Sequence, residues 1–345
     1  MELREIIAYL QNYRGGVKIM EACGTHTASV VKNGVPSLIS GGIRLMSGPG
    51  CPACVTPPSV IDGLIACADD AEVLSFGDLF HLPGSGLTLA EAKARGGRVR
   101  LMYSPFEILE RARGQRADRF VIAAVGFETT APVYAALMEA LIREDIRNVR
   151  LYTALKTMPE ILGHIAASED IDAFICPGHV SAVIGSNIYR PLCEKTKKPF
   201  VIAGFEPEHV LAAIYEIVKQ RENDLPMVKN LYPSVVSEHG QAKALAMIDK
   251  YFEKTDTMWR GIGLIGNSGY TLRSEYARFS ANPAPSVTGD EPPLPRGCRC
   301  AGVMLGRISP DECALYGLAC TPKTPVGACM ASSEGACAIW MGRSA

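Results

Sequence analysis

The stretch FVIAAVGFETTAPVYAALMEALIR, residues 120–143, decides the fold class. Its first six residues are apolar and uncharged, a run short enough for a strand buried on both faces. Gly126 to Thr130 break that run with a turn whose Thr and Glu side chains suit helix capping or contact with a substrate. From Pro132 to Arg143 apolar residues recur at helical spacing, with proline near the helix start, where its missing N–H is harmless. A buried strand, a turn and a helix in this order form the repeating element of a parallel α/β sheet.

Similar apolar runs lie at 17–20, 43–46, 73–76, 99–103, 149–152, 173–175 and 200–203, and helical periods at 58–69 and 159–167. The pattern predicts two similar parallel-sheet α/β domains followed by a small cysteine-rich domain. The expected divisions are 1–117, 118–232 and 233–345. Residues 282–297, with five prolines, read as a linker. Gly261-Ile262-Gly263-Leu264-Ile265-Gly266 matches the dinucleotide fingerprint in letters only. No β run precedes it and no acidic residue follows in a βαβ context, so it reads as a decoy.

Composition narrows the function classes. Of 345 residues 48% are hydrophobic, and 35 basic side chains balance 36 acidic ones to a net charge of −1. That balance argues against nucleic acid and against an anionic membrane surface as partners. Residues 1–14 read as an amphipathic helix and not as an export signal, and no stretch approaches a membrane span. A cytoplasmic location is expected.

Twelve cysteines in such a chain favour metal or redox chemistry over disulfides. Six of them, Cys298, Cys300, Cys313, Cys320, Cys329 and Cys337, crowd into a Gly- and Pro-rich C-terminal segment that has little apolar core of its own. Four thiolates suffice for a [4Fe–4S] cluster or a structural zinc, and six leave a spare pair. The spacing leaves cluster, zinc and disulfides all open. Near the N-terminus, Cys23 and His26 stand three residues apart on an expected strand-to-helix turn, both of them ligands for Fe(II) or Zn(II). Cys51 and Cys54 form a C-x2-C in a Gly/Pro turn, a spacing that closes into a disulfide or clamps a metal. Open parallel sheets bind ligands at the carboxyl ends of their strands, and Cys23, Cys51 and Cys54 fall there. So do Glu128, Thr129 and His179, which could line the same cleft. Cys67, Cys176 and Cys193 read as packing residues.

The motifs EACGTHT, GPGCPACVTP, VGFETTAP, CPGHVSAVIG and CRCAG…CALYGLAC…GACMASSEGAC resemble, in order and over nearly the whole chain, the HypD family of hydrogenase maturation proteins. The resemblance implies a scaffold that assembles the Fe(CN)2CO unit of [NiFe]-hydrogenases. A small HypC-like chaperone would dock on it and a HypE-like donor would deliver cyanide. Carried over, Cys23 becomes the iron anchor with His26 nearby, and Cys51 and Cys54 the redox-active or iron-binding pair. Cys298, Cys313, Cys320 and Cys337 become the ligands of a [4Fe–4S] cluster, with Cys300 and Cys329 spare. The chain then acts as a metallocentre assembly factor with redox activity. A thiol–disulfide oxidoreductase and a non-catalytic Fe–S scaffold are the competing classes.

Overall fold

A computed structural model describes residues 2–283 and 291–342. The middle of the proline-rich stretch expected as a linker lies outside the described residues. In chain order the strands are β1 (Val17–Glu21), β2 (Ile43–Ser47), β3 (Glu72–Ser75), β4 (Val99–Leu101), β5 (Phe120–Gly126) and β6 (Val149–Lys156). They continue with β7 (Ala173–Pro177), β8 (Phe200–Ala203), β9 (Val228–Asn230), β10 (Phe252–Trp259) and β11 (Gly263–Leu272). All eight strands expected from apolar runs are present, and the fold is α/β with two mostly parallel sheets.

The chain divides differently from the expected contiguous boundaries. One unit holds Met1–Cys51, Pro159–Ala242 and Arg296–Ala345, and the other holds Pro52–Met158 and Lys243–Pro295. The reason is strand pairing. β7, β8 and β9 extend the sheet that β1 and β2 begin, so the first unit carries the order β2-β1-β7-β8-β9, parallel throughout. The cysteine-rich C-terminal segment belongs to that same unit, with the helix Ala336–Gly342 packed on the helix Gly24–Lys32.

In the first unit the strand order reverses between β1 and β7. From β1 the chain moves outward to β2, and the later strands build on the opposite side. Such a switch point opens a crevice at the carboxyl ends of the two strands, because their following connections diverge. The core beneath it is aliphatic, with Leu10, Ile19, Ile175, Val201 and Ile214 fully buried. Each such side chain contributes roughly 1.5–3 kcal/mol by leaving water.

The second unit has the order β10-β11-β6-β5-β3-β4. β3 to β6 are parallel, and every residue of β5 is buried, as its uninterrupted apolar run required. β10 and β11 form an antiparallel hairpin against β6, extending it to Lys156. The expectation that no strand precedes the G-x-G-x-x-G stretch is corrected by β10. Gly261 at φ 68° and Gly263 at φ 120° make the hairpin turn, so the fingerprint letters serve chain reversal and do not open a helix. Among the described residues, no helix is long and apolar enough to cross a membrane.

Candidate functional site

Cys23 ends the connection from β1 and starts the helix Gly24–Lys32 from the N-cap position. The N–H groups of His26 and Thr25 and the Thr25 hydroxyl point at its sulfur and pull the thiol pKa down. Burial pushes it up and wins, so Cys23 rests as a half-buried, protonated thiol until a cation or an incoming electrophile takes the proton's place.

The loop after β2 carries Cys51 to this thiol through close backbone approach. A β-carbon on Gly50 would lie 2.5 Å from Cys23 Cα and 2.7 Å from Gly24 N. The C-terminal segment reaches the same place. A β-carbon on Gly24 would lie 2.8 Å from the Glu334 carbonyl oxygen, and Ser332 Oγ lies 3.4 Å from Cys51 Sγ. Three stretches distant in sequence therefore converge within the first unit: Cys23-Gly24 of EACGTHT, Gly50-Cys51 of GPGCPAC and Ser332 to Glu334 of SSEGAC. Cys51 is joined to Cys54 in a disulfide, which closes the loop where the chain leaves this unit. Both cysteines are buried.

His26 is fully buried, and its Nε2 stands 3.0 Å from the Gly204 carbonyl oxygen. Burial lowers its pKa to about 4, so at neutral pH the ring is uncharged. A carbonyl only accepts, so Nε2–H donates to it and the remaining lone pair sits on Nδ1, which has no hydrogen-bond partner. The Phe205 ring lies 4.7 Å from the His26 ring and 4.2 Å from that of His179, between centroids. Phe205 thus links two of the expected site histidines, with the stretch after β8 as their common support.

Glu128 and Thr129 lie at the end of β5 in the second unit, and Thr129 is exposed. Glu128 is buried, and its Oε1 accepts the Met158 N–H at 2.9 Å, at the start of the helix Met158–Ala166. The expected capping of the helix that this turn opens is not found, since its N-cap Thr130 makes no side-chain cap hydrogen bond; Glu128 instead caps the helix that begins at Met158.

Three residues that the motifs do not single out stand here, Glu21 and Ser332 inside EACGTHT and SSEGAC and Phe205 outside all five motifs. Glu21, at the end of β1, is buried with Oε2 lacking a hydrogen-bond partner, and burial raises its pKa to about 7 against the pull of the Thr27 hydroxyl. Ser332 and Phe205 are the others. None is a residue type that announces chemistry.

The C-terminal cysteines gather as expected from their density. Cys298, Cys300, Cys313, Cys320 and Cys337 line one small hollow, with Cys298 Sγ and Cys300 Sγ 3.3 Å apart, and Cys329 is buried close to Cys300 and Cys337. Hydrogen bonds from Cys300 and Cys329 hold Cys337 below the ordinary thiol range. All six are free thiols packed against one another. Among the described residues, no three His, Cys, Asp or Glu side chains form a ready single-ion site. As a donor set, five cysteines lining one small hollow suit a multi-iron cluster better than a single ion. Cys67, Cys176 and Cys193 lie on a helix, on β7 and on a helix respectively.

Fold and site together define an α/β protein with a thiol at a sheet switch point, a disulfide-forming pair beside it and a cage of thiols in the same unit. The family model HypD, described as the hydrogenase formation hypA family, matches residues 1–343. The hydrogenase maturation factor HypD of Rhodobacter capsulatus is 40% identical over 335 residues, covering 94% of this chain and 88% of that protein. The factor of the same name from Escherichia coli is 38% identical over 333 residues, with the same coverage of each. This chain belongs to the HypD family and is a hydrogenase maturation protein.

Proposed function

We propose that the chain is the cytoplasmic scaffold on which an iron ion receives its cyanide and CO ligands before transfer to a hydrogenase. The observation that carries this reading is the convergence of Cys23, Cys51 and the SSEG turn at the switch point. Iron, as cargo, is anchored by the Cys23 sulfur, where the metal takes the proton's place and the N–H groups of Thr25 and His26 offset part of the cost of burying the thiolate. His26 offers Nδ1 as a neutral ligand, its tautomer fixed by Gly204. A HypC-like chaperone shares the iron, and a HypE-like donor brings cyanide as a protein thiocyanate.

Release of cyanide from R–S–CN takes two electrons. The reduced pair Cys51/Cys54 supplies them: two thiols and R–S–CN become one disulfide, R–SH and HCN, with the S–C bond broken and the S–S bond formed. The observed Cys51–Cys54 disulfide corresponds to the product side of that step. Cys298, Cys313, Cys320 and Cys337 would hold a [4Fe–4S] cluster, with Cys300 beside them. When bound, such a cluster supplies electrons one at a time.

The test is infrared spectroscopy of anaerobic protein co-expressed with its small chaperone. Bands of iron-bound CO and cyanide are expected in the native protein. They should vanish in Cys23→Ala while the visible absorption of the cluster persists, and retained cyanide bands in that variant would refute the anchor. The disulfide also supports a second reading, a thiol–disulfide oxidoreductase. Turnover of generic disulfides by a protein silent in the infrared would favour it.

A further inference from the structure

The SSEG turn holds a hydroxyl that the proposed assembly reaction leaves without a role. Ser332 is buried, and its Oγ lies 3.4 Å from Cys51 Sγ. A disulfide sulfur carries no proton, so the hydroxyl is the donor in this contact. The other side of Oγ accepts the Glu334 N–H at 3.3 Å, which fixes the oxygen and leaves its proton for the sulfur. The Ser332 backbone is itself held, its N–H to the Ala328 carbonyl at 3.1 Å and its carbonyl to the Gly335 N–H at 3.0 Å. The donor is therefore rigid. It also sits in the turn between Cys329 and Cys337, two of the caged thiols.

We propose that Ser332 gives the Cys51–Cys54 disulfide its polarity and sets its redox equilibrium: on reduction the charge falls on Cys51, as a thiolate hydrogen-bonded by Ser332. The inference rests on the reading of this pair as redox-active. A hydrogen bond to an anionic sulfur is roughly twice as strong as one to a neutral acceptor, so the fixed hydroxyl favours the reduced state over the disulfide. It also makes Cys51 the better leaving group, because the sulfur whose thiolate is more stable departs faster. With a dithiol reductant the step balances. One reductant thiolate attacks Cys54 Sγ, forming a mixed disulfide and breaking the Cys51–Cys54 bond, and Cys51 leaves as thiolate. The second reductant thiol then closes the reductant's own disulfide, and its proton passes to Cys54. Two electrons enter the pair and one proton goes to solvent.

The experiment uses the full chain under anaerobic conditions, equilibrated in buffers of reduced and oxidised dithiothreitol. Differential alkylation and mass spectrometry then read the Cys51–Cys54 peptide. Ser332→Ala is expected to move the equilibrium roughly three- to tenfold toward the disulfide, or ~15–30 mV for a two-electron couple. Ser332→Thr, which keeps the hydroxyl, should restore most of it. A second measurement isolates each sulfur. In Cys54→Ser, adding Ser332→Ala should slow alkylation of Cys51 several-fold, whereas in Cys51→Ser the rate at Cys54 should not change. Equal equilibria for the native protein and Ser332→Ala, or a shift that Thr fails to restore, would overturn the inference and leave the iron scaffold standing. A native disulfide that no buffer reduces would overturn both the inference and the redox half of the proposed function, while the infrared bands report on iron separately.

Discussion

Substituting Gly50 by alanine probes the approach of two loops that carry no conventional core. The backbone of Gly50 is not in the left-handed region, so alanine meets no conformational barrier of its own. The obstacle is space. The new β-carbon would stand 2.5 Å from Cys23 Cα, 2.7 Å from Gly24 N and 2.8 Å from Cys23 C, all of them backbone atoms. Ordinary contacts of this kind lie near 3.4–4 Å, so one loop must retreat by about 1 Å. No flexible side chain is present to yield in its stead. Overpacking of this sort costs roughly 1–3 kcal/mol. At about 2–4 °C per kcal/mol for a unit of this size, the melting temperature should fall by ~2–12 °C. The functional effect should be larger, because a 1 Å misplacement of reacting groups can cost on the order of 10²-fold. Thermal unfolding and the infrared cyanide bands, measured on the same preparation, read the two effects. Gly41→Ala is the control, a glycine of the same unit with nothing within 4 Å of its would-be β-carbon and no positive φ. If Gly50→Ala behaves like Gly41→Ala in both assays, the close approach of the Cys51 loop to Cys23 is wrong.

Two further perturbations test the second unit. Lys156 is buried beside Trp259 with Nζ donating to the Met258 carbonyl at 2.6 Å, and burial lowers its pKa from 10.5 to about 7. Between those values unfolding takes up a proton, so its contribution to stability is full above 10.5 and is lost as pH falls through about 7. The stability of the native protein relative to Lys156→Met should therefore rise between pH 7 and 10.5, by on the order of a few kcal/mol, in urea titrations. A difference independent of pH would refute this. Glu128→Ala leaves the buried Met158 N–H without its acceptor and should cost ~1–3 kcal/mol in the same assay. Glu128→Gln keeps an acceptor oxygen and should recover most of that loss, and equal losses for the two variants would contradict the capping role.

Much of the fold was legible because buried parallel strands have a composition that survives any topology. Runs such as 120–125 and 200–203 need no partner to be recognised. Pairing is another matter. Nothing in the residues of β7 says that it lies beside β1 and not beside β6, because crossover connections let parallel strands join any sheet edge. The contiguous divisions failed for that reason. β10 escaped notice because polar residues fill its exposed positions, and β11 because the glycines at its start imitate a nucleotide motif. At the site, Cys23, Cys51 and Cys54 announced themselves by type and spacing. Ser332 and Phe205 did not, since a serine or a phenylalanine becomes informative only when its neighbour is known. Glu128 illustrates the same limit. Its acceptor role toward Met158 spans thirty residues, and the local motif pointed to the adjacent helix.

The way the three motifs meet accounts for their form. Side-chain packing tolerates exchange of one apolar residue for another of similar volume, whereas contact between backbones tolerates only the absence of a side chain. Gly50 against Cys23 and Gly24 against Glu334 are contacts of the second kind. The chain lengths between the motifs can vary at little cost, because loop closure grows only with the logarithm of length. The glycine next to each meeting point cannot vary. A site assembled in this manner is read as short, rigid words separated by free spacing, and EACGTHT, GPGCPAC and SSEGAC are three such words. It also places the Cys51 sulfur within reach of one fixed hydroxyl contributed by the cysteine-rich segment. Disorder of that segment, for whatever cause, would withdraw Ser332 from Cys51 and alter the pair's redox equilibrium in the same direction as Ser332→Ala. The state of the thiol cage and the state of the pair are then coupled through one turn of four residues.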